Sequence, residues 1–246
     1  MNLSNVAILT CVPPGGAVHF QTAHGIADLV ARGASWYCHA GPFIGANRNA
    51  LTEHAMREGH RFAMMWDNDI VVPGDGLDIL LDTMESRPDV DVLSAVYPTV
   101  MSYPVENRSH LVWVAQPKGY PRWLLIGEQV PNGVFECEAI GTGAMLTRLS
   151  LYDRLPEPWH GMPDVLKGEC LGDGTMFCLH CRANKIKLYA HGDVVCEHHK
   201  TLDVGSLRNV LPAIRPSRPV EDRAAFLRRI CEIEAVACRS PRDHAC

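Results

Sequence analysis

The sequence predicts an α/β fold with a largely parallel sheet. Short apolar runs alternate with helix-spaced segments from residue 5 to residue 97, Gly and Pro punctuate the joints, and one apolar run ends in two acids. Residues 5–12 form the first strand, stopped by Pro13-Pro14-Gly15-Gly16. A helix over 19–31 closes at Gly33, a residue suited to the turn beyond a helix end. The next helix, 47–58, ends at Gly59 and turns Leu51, Ala55 and Met56 toward a core. Phe62-Ala63-Met64-Met65-Trp66 is the strand that delivers Asp67 and Asp69. Pro73-Gly74-Asp75 opens a helix in which Leu77, Leu80, Leu81 and Met84 recur at helical spacing, and 91–97 is a strand stopped by Pro98.

Beyond that point the pattern loosens. Residues 98–138 read as a hairpin-rich insertion rather than a second domain. Order returns with a glycine-hinged strand over 141–147, a helix over 174–185 and a strand over 186–190. The chain is expected to divide into a domain over 1–200 and a helical extension over 201–246, with Phe226, Leu227, Ile230 and Ile233 on a helix at 220–237.

Composition narrows the class. With 47% hydrophobic and 21% charged residues, the chain is globular, not disordered. No apolar run nears the roughly 20 residues of a membrane span, and the N-terminus lacks an export signal's basic start and apolar centre. A cytoplasmic location is expected, with the 10 scattered cysteines reduced. From Lys200 onward nine basic residues face six acids, a net +3, which leaves −8 of the total −5 for residues 1–199. Such asymmetry points the C-terminal part at something anionic, and a solvated helix face explains it equally well.

The acids beyond Trp66 are the first candidate site. Core packing asks for no such pair, and ionised carboxylates at a strand end must meet water, a cation or a buried partner. Ligands of open α/β sheets sit at the carboxyl ends of parallel strands, and oxygen donors there suit a hard divalent cation. A solvated turn after the strand is the alternative.

The order of several motifs is more specific than any one of them. Arg48-Asn49 is followed by Asp67-Asn68-Asp69, Tyr97-Pro98, Glu138 to Gly143, Pro158-Trp159, Gly172-Asp173 with Phe177-Cys178, and Glu197-His198-His199. Over roughly residues 5–200 this series resembles the GT-A-type glycosyltransferases, in particular the small family-2-like members of bacteria and phages. The resemblance implies a Rossmann-like, mostly parallel sheet flanked by helices. It also implies a nucleotide-sugar donor, UDP- or GDP-linked, held through Mn2+ or Mg2+. On that pattern Asp69 would be a direct metal ligand, and Asp67 would hold the ribose or a metal-bound water. His198, with His199 as fallback, would complete the metal shell. Thr10 and Val12 would line the base pocket beside Cys11. Asn68 falls within the donor motif, Asn49 could hold the nucleotide, and Arg48 is either a phosphate contact or an ordinary exposed residue at a helix start.

Asp173 lies where relatives carry an acidic pair before a Phe-Cys helix, and it would take the acceptor proton in an inverting reaction. Its other possible task is a helix N-cap, and Glu169 is the reserve base. Gly141, Thr142 and Gly143 would let backbone approach donor and acceptor closely, and Trp159 could stack on an acceptor ring or be buried. The acceptor is expected to be a saccharide or a hydroxymethylated base of phage DNA, within the host-cell cytoplasm. Arg208, Arg215, Arg218, Arg223, Arg228 and Arg229 would then meet its phosphates. No membrane and no obligate protein partner is expected.

Two rivals remain. A nucleotidyltransferase of related fold would carry a basic, glycine-rich phosphate loop, whereas Pro13-Pro14-Gly15-Gly16 has no Arg or Lys. Cys178 and Cys181 with Cys196 and His198 loosely resemble the zinc site of a non-enzymatic zinc or nucleic-acid-binding module. Buried thiols on a helix account for them more simply.

Overall fold

Near-continuous apolar runs suit strands covered on both faces, and these build the centre of the sheet. The structure is a computed structural model that describes residues 2–103, 108–161 and 173–199. Strands β1 (Val6–Val12), β3 (Phe62–Trp66) and β5 (Val92–Val96) are buried along their whole length. They belong to an eight-stranded sheet in the order β2-β1-β3-β10-β5-β11-β9-β8. The other members are β2 (Ser35–Ala40), β8 (Ala115–Pro117), β9 (Val134–Ile140), β10 (Ala144–Arg148) and β11 (Leu188–Val195). β1 pairs parallel with β2 and β3, and β11 with β5. β10 runs antiparallel to both β3 and β5, and β9 to both β11 and β8. The fold is α/β with a mixed, partly parallel sheet in which β10 and β9 oppose the other strands.

Helices cover both faces. α1 (Phe20–Ala31) and α3 (Gly76–Ser86) lie on one face, where Ile26, Leu29, Leu77, Leu80, Leu81 and Met84 share one apolar cluster with Val6, Ile8 and Met64. Each such side chain contributes about 1.5–3 kcal/mol by leaving water. α2 (Ile44–Arg57) and α4 (Asp173–Ala183) lie on the other, where Leu51, Ala55, Phe177 and Cys181 share a second cluster with Leu9 and Met65. Gly33 and Gly59 follow α1 and α2 at φ +103° and +76°, the left-handed turns expected of them.

Several boundaries differ from expectation. α2 begins at Ile44, three residues before the predicted start, because the extended Phe43 (φ −117°, ψ 98°) already turns the chain into the helix. Arg48 therefore sits in the second turn and faces inward. β2 carried no prediction, since this edge strand is largely exposed and lacks an apolar run. Pro98 ends β5 but also starts β6 (Pro98–Tyr103), which pairs with β7 (Arg108–Trp113) as a separate hairpin. β8 and β9, placed by the sequence in the insertion, instead complete the main sheet. A last pair, β4 (Ile70–Val71) with β12 (Glu197–His198), brings the end of the described chain beside the acids. Among the described residues no helix is long and apolar enough to cross a membrane. The extension over 201–246 lies outside the described residues.

Candidate active site at the carboxyl ends of the strands

Beyond Trp66 the chain leaves the sheet in a tight turn. Asp67 N–H donates to Gly143 O at 2.7 Å, and the Trp66 indole N–H donates to Ile70 O at 2.8 Å, so the turn is tied on both sides. Asp67 Oδ1 accepts from Arg48 Nη2 at 2.6 Å. The other terminal nitrogen, Nη1, donates to Thr142 Oγ1 at 2.5 Å and to Asp173 Oδ2. Arg48 is only 2% exposed, and a buried charge persists where it is paired. Burial alone would lower its pKa. Asp67 and then Asp173 outweigh that and hold the guanidinium above its usual range.

Two glycines make room for this corner. A Cβ on Gly143 would stand 2.6 Å from Asp67 Oδ2 and 2.9 Å from the Tyr97 hydroxyl, and one on Gly141 would stand 2.3 Å from that hydroxyl. The Tyr97 oxygen accepts from Gly143 N–H at 2.9 Å. Burial first, then the negative charge of Asp67, pushes the Tyr97 phenol well up, so it stays protonated. Tyr97, noted in the motif series but given no role, proves central. Its ring packs edge-on against His198, with centroids 5.4 Å apart at 86°.

His198 forms the second corner. Its Nδ1 lies 2.7 Å from Pro98 O, and a carbonyl can only accept, so this nitrogen carries the proton. Its Nε2 stands 3.4 Å from Asp69 Oδ1. An imidazole nitrogen and a carboxylate oxygen so placed are a donor pair of the kind that suits Mn2+. Remaining positions would fall to water and ligand oxygens, since no three His, Cys, Asp or Glu side chains gather as a metal set among the described residues. His199 turns elsewhere: its Nε2 meets Glu197 Oε2 at 2.9 Å, and its ring stacks on His19 at 4.3 Å. The strand register that sets His198 opposite Ile70 places the two neighbouring rings in different surroundings.

The remaining candidates divide. Thr10 is buried and its hydroxyl accepts from Trp36 Nε1 at 3.0 Å, while Val12 O receives Gly41 N–H at 3.1 Å. Both lie at the end of β1, and Trp36 joins them without a sequence signal. Asn68 braces the loop before α1: its Nδ2 donates to Ala17 O and its carbonyl accepts from His19 N–H, each at 2.7 Å. Asn49 does not face this site. Its amide clasps the backbone of His160 through two bonds of 2.8 Å, so both polar atoms are already used. Trp159 is buried against Tyr152, with centroids 5.0 Å apart, and borders a cavity of about 630 Å3 with Glu53, Met56 and Arg57 near the far end of α2. Cys178 hydrogen-bonds at Ile140, and burial pushes its thiol up to about 11 and that of Cys196 up to about 12. Glu169 and the tail arginines lie outside the described residues.

No protein-family model matches the chain, and no curated protein matches it in sequence. Solved structures do match in fold. A197 from STIV superposes with a TM-score of 0.54 at 13% identity, over 79% of this chain and 86% of that one. GalNAc-T7, solved with UDP, GalNAc and Mn2+, superposes with a TM-score of 0.51 at 7% identity. That match covers 82% of this chain and 45% of the GalNAc-T7 chain, so the chain spans under half of that relative. The architecture is that of GT-A structures.

Proposed function

We propose that the chain is a metal-dependent glycosyltransferase, moving a sugar from a nucleoside diphosphate donor to an acceptor hydroxyl. The observation that carries this reading is the pair of facing donors, Asp69 Oδ1 and His198 Nε2 at 3.4 Å, one turn from the Asp67–Arg48–Asp173 cluster. Mn2+ or Mg2+ held there by Asp69 and His198 would offset the charge gathering on the departing diphosphate. Asp67, Thr10, Val12 and Asn68 border the place where the nucleotide lies. UDP is the first donor to test, because GalNAc-T7 was solved with it.

Asp173 takes the proton of the acceptor hydroxyl as that oxygen bonds to the anomeric carbon. The bond from that carbon to the phosphate oxygen breaks, its electrons leave with the diphosphate, and the configuration inverts. Its place in the first turn of α4 sets the carboxylate at the mouth of the cluster, 15% exposed. Thr142 stands beside it on the same guanidinium nitrogen, and Gly141 and Gly143 flank Thr142. The acceptor is a saccharide or a hydroxymethylated DNA base.

Calorimetry with UDP and GDP, each with and without Mn2+, tests the donor corner. Binding of one nucleotide that depends on Mn2+ is the expected result. Equal binding without metal, or none to either nucleotide, defeats the proposal. Retention of anomeric configuration in the product would remove Asp173 from its role.

A further inference from the structure

Arg48 is the only Arg, Lys, Asp or Glu among the buried residues described. Its guanidinium is committed on two sides, to Asp67 and to Thr142 with Asp173. Four segments distant in sequence thus meet on one side chain: α2, the turn after β3, the turn before β10 and the first turn of α4. A guanidinium is planar and presents its donors in a fixed fork, so the carboxylate on one prong is oriented relative to the carboxylate on the other. Asp173 Oδ2 is held, and Oδ1 accepts no side-chain hydrogen bond among the described residues.

We propose that Arg48 is a positioning residue, which sets Asp173 against the Asp67–Asp69 corner and leaves Oδ1 as the oxygen that receives the acceptor proton. This rests on the glycosyl-transfer reading above. It also moves Arg48 from the donor phosphates to the support of both acids. Three of the five guanidinium N–H donors already meet protein oxygens, on Asp67, Thr142 and Asp173, which fixes the group against the two acids. Lysine in this place would keep the charge but lose the fork, since an ammonium is a point donor on a flexible stem. A nucleophile and base misplaced by an ångström cost about 10²-fold in rate.

Arg48→Lys and Arg48→Met test the proposal through melting temperature, calorimetry with UDP and Mn2+, turnover of the matching UDP-sugar, and a crystal structure of the Lys variant. The Lys variant should stay folded and still bind UDP with Mn2+. Its kcat should fall about 10²-fold, far more than donor affinity falls, and Asp173 should turn away from Asp67 in the crystal. Wild-type kcat in the Lys variant, or a loss that only tracks the folded fraction, overturns the proposal. So does an Asp173 that keeps its orientation. If the Met variant fails to fold, the Lys variant alone decides. A wild-type protein that binds no nucleoside diphosphate with Mn2+ defeats the glycosyltransferase reading instead. The orientation of Asp173 in the Lys crystal then still judges whether Arg48 positions it.

Discussion

The two faces of the sheet are built by opposite rules. Beneath α1 and α3 the filling is largely aliphatic and aromatic, from Leu3 and Ile8 through Leu80 and Met84, with the Thr22 hydroxyl bonded to Ile70 O. Beneath α2 and α4 the same depth holds Arg48, with Thr52, Thr142 and His160 also buried. The first face gains from each contact independently. The second holds groups that are costly alone and tolerable only together, because an unpaired buried charge forfeits its hydration. Asp173 and its buried guanidinium thus lie on the second side, whereas Ile70 and Tyr97, which flank the Asp69–His198 corner, belong to the first.

Asp173→Asn attacks the second face at its most exposed point. Transfer is expected to fall about 10²–10⁴-fold, with melting temperature and Mn2+-dependent UDP affinity near wild type. A loss of affinity equal to the loss of rate would show that Asp173 belongs to the donor corner. Leu80→Ala attacks the first face and should cost about 2–5 kcal/mol in denaturant unfolding. The folded fraction should then bind UDP with Mn2+ as well as the wild type does. A weaker affinity there would show that the packing around Leu80 reaches Ile70 and Tyr97 beside the Asp69–His198 corner.

Gly143→Ala strikes the joint between them. Its new methyl group would overlap Asp67 Oδ2 and the Tyr97 hydroxyl, and such overpacking costs about 1–3 kcal/mol. Both stability and nucleotide affinity should drop together, which distinguishes it from either single-face substitution.

His160 supplies the smallest effect and a pH signature. It is fully buried, stacks on Phe177 at 4.8 Å and 11°, and neither ring nitrogen has a partner among the described residues. Burial, then the positive charges of Arg48 and His180, holds its pKa well below the ordinary value. The unfolded chain binds this proton more readily, so the stability it contributes is present above about pH 6.5 and is lost as pH falls below it. His160→Phe should flatten the decline of melting temperature between about pH 6.5 and 5. An unchanged slope would assign the acid sensitivity to other groups.

The apolar face was the legible one. The strand over 62–66 and the stripe Leu77, Leu80, Leu81, Met84 follow from local spacing alone, because burial there depends on each residue's own hydrophobicity. The acids after Trp66 were legible for the complementary reason, since nothing local accounts for them. Arg48 was only half legible. It lies at helical spacing from Leu51 and Ala55, on the face that the apolar residues already marked as inward, yet the late helix start hid that alignment. The contacts of Arg48 with Asp173, 125 positions on, and of Asn49 with the His160 backbone have no local trace, because they arise from the meeting of remote segments. β2 escaped notice because an edge strand needs no apolar run.

β10 enters the sheet backwards between β3 and β5, with Met145 opposite Met65 on one side and Ser94 on the other. Sliding it by one position would swap its two faces and carry Gly143 off Asp67. An insertion or deletion inside this short segment thus has nowhere to be absorbed. The middle of the sheet is where the chain's length is held most rigidly, and the corner at Asp67 inherits that intolerance.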